Sequence, residues 1–182
     1  MNRLLDAVAY QGVWFAAVLG AGSGHAWPGA VAGGAFAAVH LADANTRASK
    51  LTLLLAGIGF GLLLDGALEH AGWVRHAAEG DTWRRIVGAP VWILALWAVF
   101  PLTLTCSFAA LQSRTWLAAA LGAIGGPLAY LGAARGASAL EFVAPAPQVI
   151  AVLAVGWGIA LPVLARLAAR GRPGVALVGA TP

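Results

Sequence analysis

The chain has 182 residues, of which 60% are hydrophobic and only 10% are charged, and its mean hydropathy is +0.82. A soluble domain of this length needs more charge to cover its surface, so the composition excludes a soluble globular protein and indicates an integral membrane protein. The formal net charge is +4, but the basic residues are scattered over loops and helix ends, which argues against nucleic-acid binding. The single cysteine excludes a disulfide framework and a thiolate metal site.

Six apolar segments have about the length that a membrane-spanning helix requires, roughly 17 to 25 residues. In chain order they cover residues 4–21, 27–42, 51–73, 90–111, 116–134 and 148–169, the second being the shortest. No insert between them is long enough to fold alone. The sequence therefore predicts an all-α integral membrane protein with one six-helix transmembrane domain over residues 1–170. A flexible C-terminal tail is predicted over residues 171–182.

The distribution of Lys and Arg predicts the orientation of these helices. If both termini are cytoplasmic, the inner side holds Arg3, Arg47, Lys50, Arg114, Arg166, Arg170 and Arg172. The outer side then holds Arg75, Arg84, Arg85 and Arg135. The excess of basic residues on the inside follows the positive-inside rule. We therefore expect a multi-pass protein of a bacterial inner membrane with cytoplasmic termini.

The third predicted helix carries carboxylates near its outer end. At about 1.5 Å per residue, Asp65 lies roughly 20 Å along this helix, inside the hydrocarbon layer, where an isolated charge is expensive. Glu69 lies one turn further out on the same face. Asp65 is thus the first candidate for a catalytic or ligand-binding residue, and Arg135 is its expected partner. The predicted outer cluster comprises Asp65, Glu69, Tyr130 and Arg135, with Trp92 and Trp97 as walls.

A second polar level is predicted nearer the cytoplasm, on the first, second and fourth helices. Its members are Gln11, Trp14, His40, Asp43, Thr105 and Ser107. His40 is the second candidate for a catalytic residue, because a neutral imidazole can accept or relay a proton near pH 7. His40 and Asp65 differ in depth by roughly 10 Å on straight helices, so we do not expect a direct catalytic pair. Trp157, deep in the sixth helix, is a candidate wall of an apolar pocket.

Glycines leave several helix faces without side chains, which allows close helix packing. They occur at Gly29 and Gly33, at Gly57, Gly59 and Gly61, at Gly122, Gly125 and Gly126, and at Gly156 and Gly158. Three stretches also match between the two halves in the same order: VWFAAVL with VWILALW, GGAFA with GGPLA, and GFGLLL with GWGIAL. Because each half has three helices, a duplication would be an inverted three-plus-three repeat, which is common in transporters.

No nucleophile elbow, phosphate loop or HExxH motif occurs in the sequence. His40 with Asp43, or Glu69 with His70, supplies two potential metal ligands at most, so we expect no metal site. The sequence identifies no cofactor, and it leaves open whether the protein is an enzyme.

Six stretches, YQGVWFAAVLGA, AVHLA, GLLLDGAL, PVWILALW, GGPLAYLGA and VGWGIALP, together resemble a family of small bacterial inner-membrane proteins. This family is known as domain of unknown function 2878, and the resemblance runs from Leu4 to about Ala169. It implies a role in lipid chemistry, because such families are often encoded beside fatty-acid and lipid-modifying genes. The residues that fall on the family pattern are Gln11, Trp14, His40, Asp65, Pro90, Trp92, Trp97, Gly125, Gly126, Pro127 and Tyr130.

Three functions stay open at this stage. The first is an intramembrane site that binds or modifies a lipid or fatty-acyl group, with membrane lipids or a small hydrophobic ligand as partners. The second is a small-molecule transporter or its substrate-binding subunit, supported by the possible repeat and by the similarity of GFGLLLDGAL to subunits of vitamin transporters. The third is a non-enzymatic scaffold whose glycine-rich faces bind a membrane-protein partner or another copy of the chain.

Overall fold

The computed structural model describes residues 2–78, 85–86 and 88–171, and within these residues it contains six α-helices and two small antiparallel strand pairs. The helices are α1 (Arg3–Gly22), α2 (Trp27–Leu41), α3 (Ala44–His70), α4 (Val91–Thr103), α5 (Thr115–Ala137) and α6 (Ala146–Arg170). The strands are β1 (Val74–His76), β2 (Arg85–Ile86), β3 (Ala89–Pro90) and β4 (Leu140–Phe142). A short 3-10 helix, Ala109–Ser113, follows α4.

Four of the helices, α1, α3, α5 and α6, are long and apolar enough to cross a membrane. α2 and α4 are shorter, with 15 and 13 residues. Large apolar side chains cover the outward faces of the bundle, and Leu4, Leu63, Leu128 and Val155 are each more than half exposed. Such a surface is unfavourable in water and suits lipid. The protein is a helical membrane protein, as the composition predicts.

α4 is the central helix of the bundle. It packs against α1, α2, α3 and α6, and nine of its residues are buried. A helix that is apolar on every face is stable only when protein or lipid surrounds it completely. The uniformly hydrophobic sequence of α4 therefore places it in the core, where its side chains contact the neighbouring helices.

The prediction of one helix over residues 90–111 is wrong, because α4 ends at Thr103. Pro101 lacks a backbone N–H and so weakens the last turn. The following backbone N–H groups bond to carbonyls only three residues back, as Leu104 N does to Pro101 O over 3.1 Å. The chain then turns into the 3-10 helix Ala109–Ser113, so the predicted span is made of two pieces.

α3 begins seven residues earlier than the predicted start at residue 51. Asp43 caps its N-terminus by accepting hydrogen bonds from the Asn45 backbone N–H over 3.0 Å and from the Thr46 hydroxyl over 2.8 Å. Carboxylates at this position satisfy the free N–H groups of the first turn. Lys50 Nζ, one turn further on, donates to the carbonyl of His40 over 2.8 Å at the C-terminus of α2. The predicted loop between the second and third helices is therefore largely helical.

The connections at one end of the bundle pair with each other. β1 follows α3, β4 follows α5, and the two strands pair antiparallel with His76 opposite Leu140. Arg75 and Glu141 form an exposed ion pair of 3.0 Å on this small sheet. We call this the strand end of the bundle. The pairing fixes β1 above the last turns of α3, which positions His76 at the candidate site.

The helix packing does not follow the predicted three-plus-three order. In such a duplication α1 with α2 would correspond to α4 with α5, but α5 packs mainly on α6 and α4 mainly on α3. The predicted C-terminal tail over residues 171–182 lies outside the described residues except for Gly171, which follows the last residue of α6. Arg84 and Arg172, which enter the charge count, also lie outside the described residues.

Candidate functional site

Asp65 of α3 is completely buried and links three helices. Nε1 of Trp97 in α4 donates a hydrogen bond of 2.6 Å to its Oδ2 atom. The hydroxyl of Tyr130 in α5 contacts both carboxylate oxygens, at 2.7 Å from Oδ1 and 2.8 Å from Oδ2. The predicted grouping of Asp65 with Tyr130 and Trp97 is therefore present in the structure.

Glycines on α3 allow Trp97 to reach Asp65. A Cβ atom added at Gly61, one turn before Asp65, would lie 2.6 Å from Cδ1 of Trp97, and one at Gly57 would lie 2.0 Å from its carbonyl oxygen. Both contacts are shorter than carbon and oxygen atoms tolerate, so a side chain at either position would force α3 and α4 apart. The glycine spacing of α3 thus brings the indole of Trp97 within hydrogen-bonding distance of the carboxylate.

His76 of β1 completes this cluster, and its side chain is fully buried. Its Nδ1 atom is hydrogen-bonded to the carboxylate of Glu69. Its Nε2 atom lies 3.4 Å from Oδ1 of Asp65, within ion-pair range but without the alignment of a hydrogen bond. Burial alone lowers the pKa of His76, but the close carboxylate of Asp65 and the hydrogen-bonded carboxylate of Glu69 outweigh burial and raise this pKa to about 9.

Sequence reasoning missed His76 and expected Arg135 as the partner of Asp65. That expectation is wrong, since Arg135 is exposed and lines a separate cavity of about 690 Å³ at the strand end that also includes Arg75 and Glu141. His76 lies outside the predicted spans, and no periodicity marks it. The one usable signal was its position six residues after His70 in a connection that returns to the bundle, where β1 pairs with β4.

A largely apolar cavity of about 610 Å³ lies beside this cluster, between α1, α4, α5 and α6. We call it the main cavity. Tyr130 and Trp97 lie on its wall, so two of the residues bonded to Asp65 also face this space. The residues predicted for a ligand site that line it are Gln11, Trp14, Trp92, Trp97, Gly125, Gly126, Tyr130 and Trp157.

The main cavity opens sideways between α1 and α5. α5 packs far more closely on α6 than on α1. Among the residues lining the cavity, Leu121 is 44% exposed and Leu128 is 60% exposed on α5, and Gln11 is exposed on α1. Because the outward faces of α1 and α5 are apolar, a membrane would surround this opening with acyl chains. The cavity is therefore a cleft that is reached from the side of the bundle.

The opposite end of the bundle holds a second buried polar cluster. Nε2 of His40 donates a hydrogen bond of 2.8 Å to Oδ1 of Asp6, and Ser107 donates to Oδ2 of Asp6 through both its hydroxyl and its backbone N–H. Asp6 is completely buried. The cluster joins α1, α2 and the turn after α4, which identifies a structural role for Asp6 that the sequence did not suggest.

Among the described residues, His40 and Asp65 lie at separate cavities. His40 lines a polar cavity of about 410 Å³ together with Asp43, Lys50 and Cys106, whereas Asp65 lies behind the wall of the main cavity. The expectation that the two residues do not form a direct pair is therefore consistent with the structure. Pro127 is buried within α5, which continues through it without interruption.

The chain matches the family described as "Protein of unknown function (DUF2878)" over residues 3–163. Because the match covers most of the chain, the protein belongs to this family, as the resemblance of its motifs indicated. No curated protein and no solved structure matches the chain significantly. The family description carries no activity, so a function has to be argued from the geometry of the site.

Proposed function

We propose that this protein binds, or binds and modifies, a lipid or fatty-acyl group in the main cavity. The observation that carries the proposal is the shape and lining of this cleft. It is apolar along its length, opens between α1 and α5, and carries at its wall two residues, Tyr130 and Trp97, that are bonded to a buried carboxylate. A ligand with a long apolar body and a small polar group satisfies such a site.

The proposal includes a topology. All six helices cross a bacterial inner membrane, with both termini in the cytoplasm and the strand end outside. α2 and α4 are about 20 Å long at 1.5 Å per residue, shorter than the roughly 30 Å of a hydrocarbon core. Packing of α4 at the centre of the bundle and the turn after it compensate for this short length. The basic residues near the cytoplasmic helix ends support this orientation.

The cluster around Asp65 would fix the orientation of the ligand. If the protein is an enzyme, the same cluster would move a proton. Tyr130 faces the cavity and bonds to Asp65, and His76 contacts Asp65 from the strand end. A proton can pass along such a chain of acid–base groups. His40 lines a different cavity, so it takes no part in the proposed chemistry.

The test is the lipid that copurifies with the protein, measured by native mass spectrometry after gentle detergent extraction. Gly125 lines the cleft and has open space at its Cβ position, so Gly125→Leu should place an apolar side chain in the cleft and remove bound lipid. Gly59→Leu is the matched control, because Gly59 also has open space but does not line the cleft. Equal lipid occupancy in wild type, Gly125→Leu and Gly59→Leu would refute the proposal.

A proton-coupled transporter is the second candidate, and one observation favours it. Glu69, His76, Asp65 and Tyr130 form a continuous chain from the strand end to the main cavity. Ionisable groups inside membrane proteins often couple transport to protons. Uptake of radiolabelled substrates into proteoliposomes that depends on a proton gradient, and that Asp65→Asn abolishes, would support a transporter over a lipid-binding protein or enzyme.

The scaffold hypothesis has weaker support, because many of the glycines it would use are already occupied inside the chain. A Cβ atom at Gly29 would meet Ala17, and side chains at Gly57 and Gly122 would meet the backbones of Trp97 and Trp157. These faces pack within one molecule. A membrane-protein partner or a second copy would have to bind elsewhere, and copurification of a stoichiometric partner from the native membrane would revive this hypothesis.

A further inference from the structure

Two indole N–H groups at the main cavity lack hydrogen-bond partners among the described residues. Trp92 is 1% exposed, and its buried Nε1 atom has no hydrogen-bond partner in the described part of the chain. The Nε1 atom of Trp157 is also buried and forms no aligned hydrogen bond with a described residue, although it lies close to the Tyr130 hydroxyl. Both residues line the cleft. A buried tryptophan N–H ordinarily has an acceptor, so these groups indicate what the ligand supplies.

An indole N–H donates and cannot accept, so its missing partner is an acceptor. The described side chains that line the cleft are all uncharged. A carboxylate or phosphate in the cleft would therefore lack a cationic partner among these side chains, which is unfavourable in an apolar environment.

We infer that the ligand presents a neutral acyl carbonyl oxygen, as in an ester, amide or thioester, to Nε1 of Trp92. This inference rests on the proposed binding of an acyl group in the main cavity and names its chemical class. The ring of Trp92 lies 5.9 Å from that of His76 in an edge-to-face arrangement. The carbonyl therefore lies at the same end of the cleft as the cluster around Asp65.

The rest of the cleft matches an acyl chain. Its wall along α5 runs from Leu121 to Ala133, about 18 Å at 1.5 Å per residue. Deeper in the bundle, the lining residues include Phe100, Phe108 and Leu161, which offer only apolar contact. The carbonyl therefore binds beside Trp92, and the acyl chain of the ligand extends away from the cluster around Asp65.

The experiment compares three probes with 16-carbon chains, methyl palmitate, palmitate and hexadecane, by native mass spectrometry titration in one non-ionic detergent at about pH 8, where the palmitate carboxyl is ionised. For the wild-type protein, methyl palmitate should bind about three- to tenfold more tightly than hexadecane, the range expected for one net hydrogen bond. Palmitate should bind more weakly than the ester. Trp92→Phe should remove the advantage of the ester and leave hexadecane binding unchanged.

Trp27→Phe is the matched control, because Trp27 is 56% exposed and lies outside the cleft; it should change none of the three affinities. The comparison of ester with hexadecane in the wild-type protein needs no variant, so a misfolded Trp92→Phe protein leaves the test intact. Equal binding of ester and hexadecane, or tightest binding of palmitate, would overturn the carbonyl inference while leaving apolar ligand binding in place. If Gly125→Leu weakens none of the three probes, the proposed function itself fails, and the inference fails with it.

Discussion

The indole rings of Trp97 in α4 and Trp157 in α6 stack with their centroids 4.1 Å apart and their planes 19° from parallel. Each ring packs against glycines of a neighbouring helix, Trp97 against Gly61 of α3 and Trp157 against Gly126 of α5. The same arrangement of a glycine face and a tryptophan therefore occurs twice, and the two tryptophans meet at the wall of the main cavity. Close helix packing and the ligand site thus depend on the same residues.

We predict that Gly57→Ala destabilises the protein strongly. The new Cβ atom would lie 2.0 Å from the backbone carbonyl oxygen of Trp97, and a backbone atom cannot rotate away as a side chain can. Overpacking of this kind typically costs about 1–3 kcal/mol or more. Unfolding by sodium dodecyl sulfate in mixed micelles measures the change.

Gly59→Ala is the control for this substitution, because a Cβ atom built at Gly59 meets nothing within 4 Å beyond its chain neighbours and the adjacent backbone of α3. Alanine has the higher helix propensity, so this variant should match the wild type or gain up to about 1 kcal/mol. Equal stability of Gly57→Ala and Gly59→Ala would show that α3 and α4 are not in close contact at Gly57.

The hydrophobic pattern predicted six helices and most of their boundaries, because burial in lipid demands long apolar runs. It could not predict that α4 ends at Thr103. Residues 104–111 are as apolar as a helix in lipid requires, and the turn depends on Pro101 together with a tertiary contact, in which Asp6 accepts hydrogen bonds from the backbone N–H and hydroxyl of Ser107. A partner 101 residues away in the chain leaves no trace in local periodicity.

The depth of the Asp65 carboxylate in an apolar segment identified it as the first candidate site residue. An isolated charge at the depth of Asp65 is expensive, and the sequence correctly grouped this residue with Tyr130 and Trp97. The sequence did not identify His76, because the pairing of β1 with β4 that holds it over α3 is a contact between distant connections. Depth along a helix can be calculated from the sequence, but the return of a loop into the bundle cannot.

We predict that Asp65→Asn destabilises the folded protein by about 3–5 kcal/mol, the range found when one partner of a buried ion pair is removed. The asparagine side chain has about the same volume as the aspartate. It would leave His76 without one of its two counter-charges and offer one acceptor oxygen instead of two. The measurement is again unfolding in mixed micelles.

Glu141→Gln is the matched control for Asp65→Asn, since it breaks an exposed ion pair. In this pair the side chain of Arg75 is 59% exposed and that of Glu141 is 66% exposed. Exposed pairs contribute at most about 1 kcal/mol. If both variants lose the same stability, Asp65 does not occupy the buried position described above.

The stability of the protein should fall as the pH rises from about 6.5 to 9. The pKa of His76 is raised from 6.5 to about 9 in the folded protein, so protonated His76 stabilises the fold fully below about pH 6.5 and loses this contribution as the pH passes about 9. Thermal unfolding in detergent between pH 6 and pH 10 measures the effect. His76→Gln should be less stable than the wild type at pH 6 and nearly insensitive to pH over the same interval. A wild-type profile that is flat, or that rises with pH, would contradict the charged contact with Asp65 and Glu69.

The Asp6 cluster should affect stability without affecting the ligand. Asp6→Asn and Ser107→Ala each disturb a buried hydrogen-bonded group, and each should cost about 1–3 kcal/mol. Because both substitutions act on the same contact between Ser107 and Asp6, the double variant should lose less than the sum of the single losses. Native mass spectrometry should find wild-type lipid occupancy in every variant that folds, since this cluster does not line the main cavity. Loss of bound lipid in folded Ser107→Ala would indicate that the two ends of the bundle are coupled.

The proposed topology predicts which residues are accessible from outside the cell. Gly136 is exposed near the strand end, and Ser113 is exposed at the opposite end of the bundle. In a Cys106→Ser background, which removes the single natural thiol, a membrane-impermeant maleimide should label Gly136→Cys in intact cells. It should label Ser113→Cys only after the membrane is permeabilised. Neither substitution changes the number of Lys and Arg residues, so neither disturbs the charge distribution that sets the orientation. The reverse labelling pattern would place both termini outside and put the Asp65 cluster near the cytoplasm.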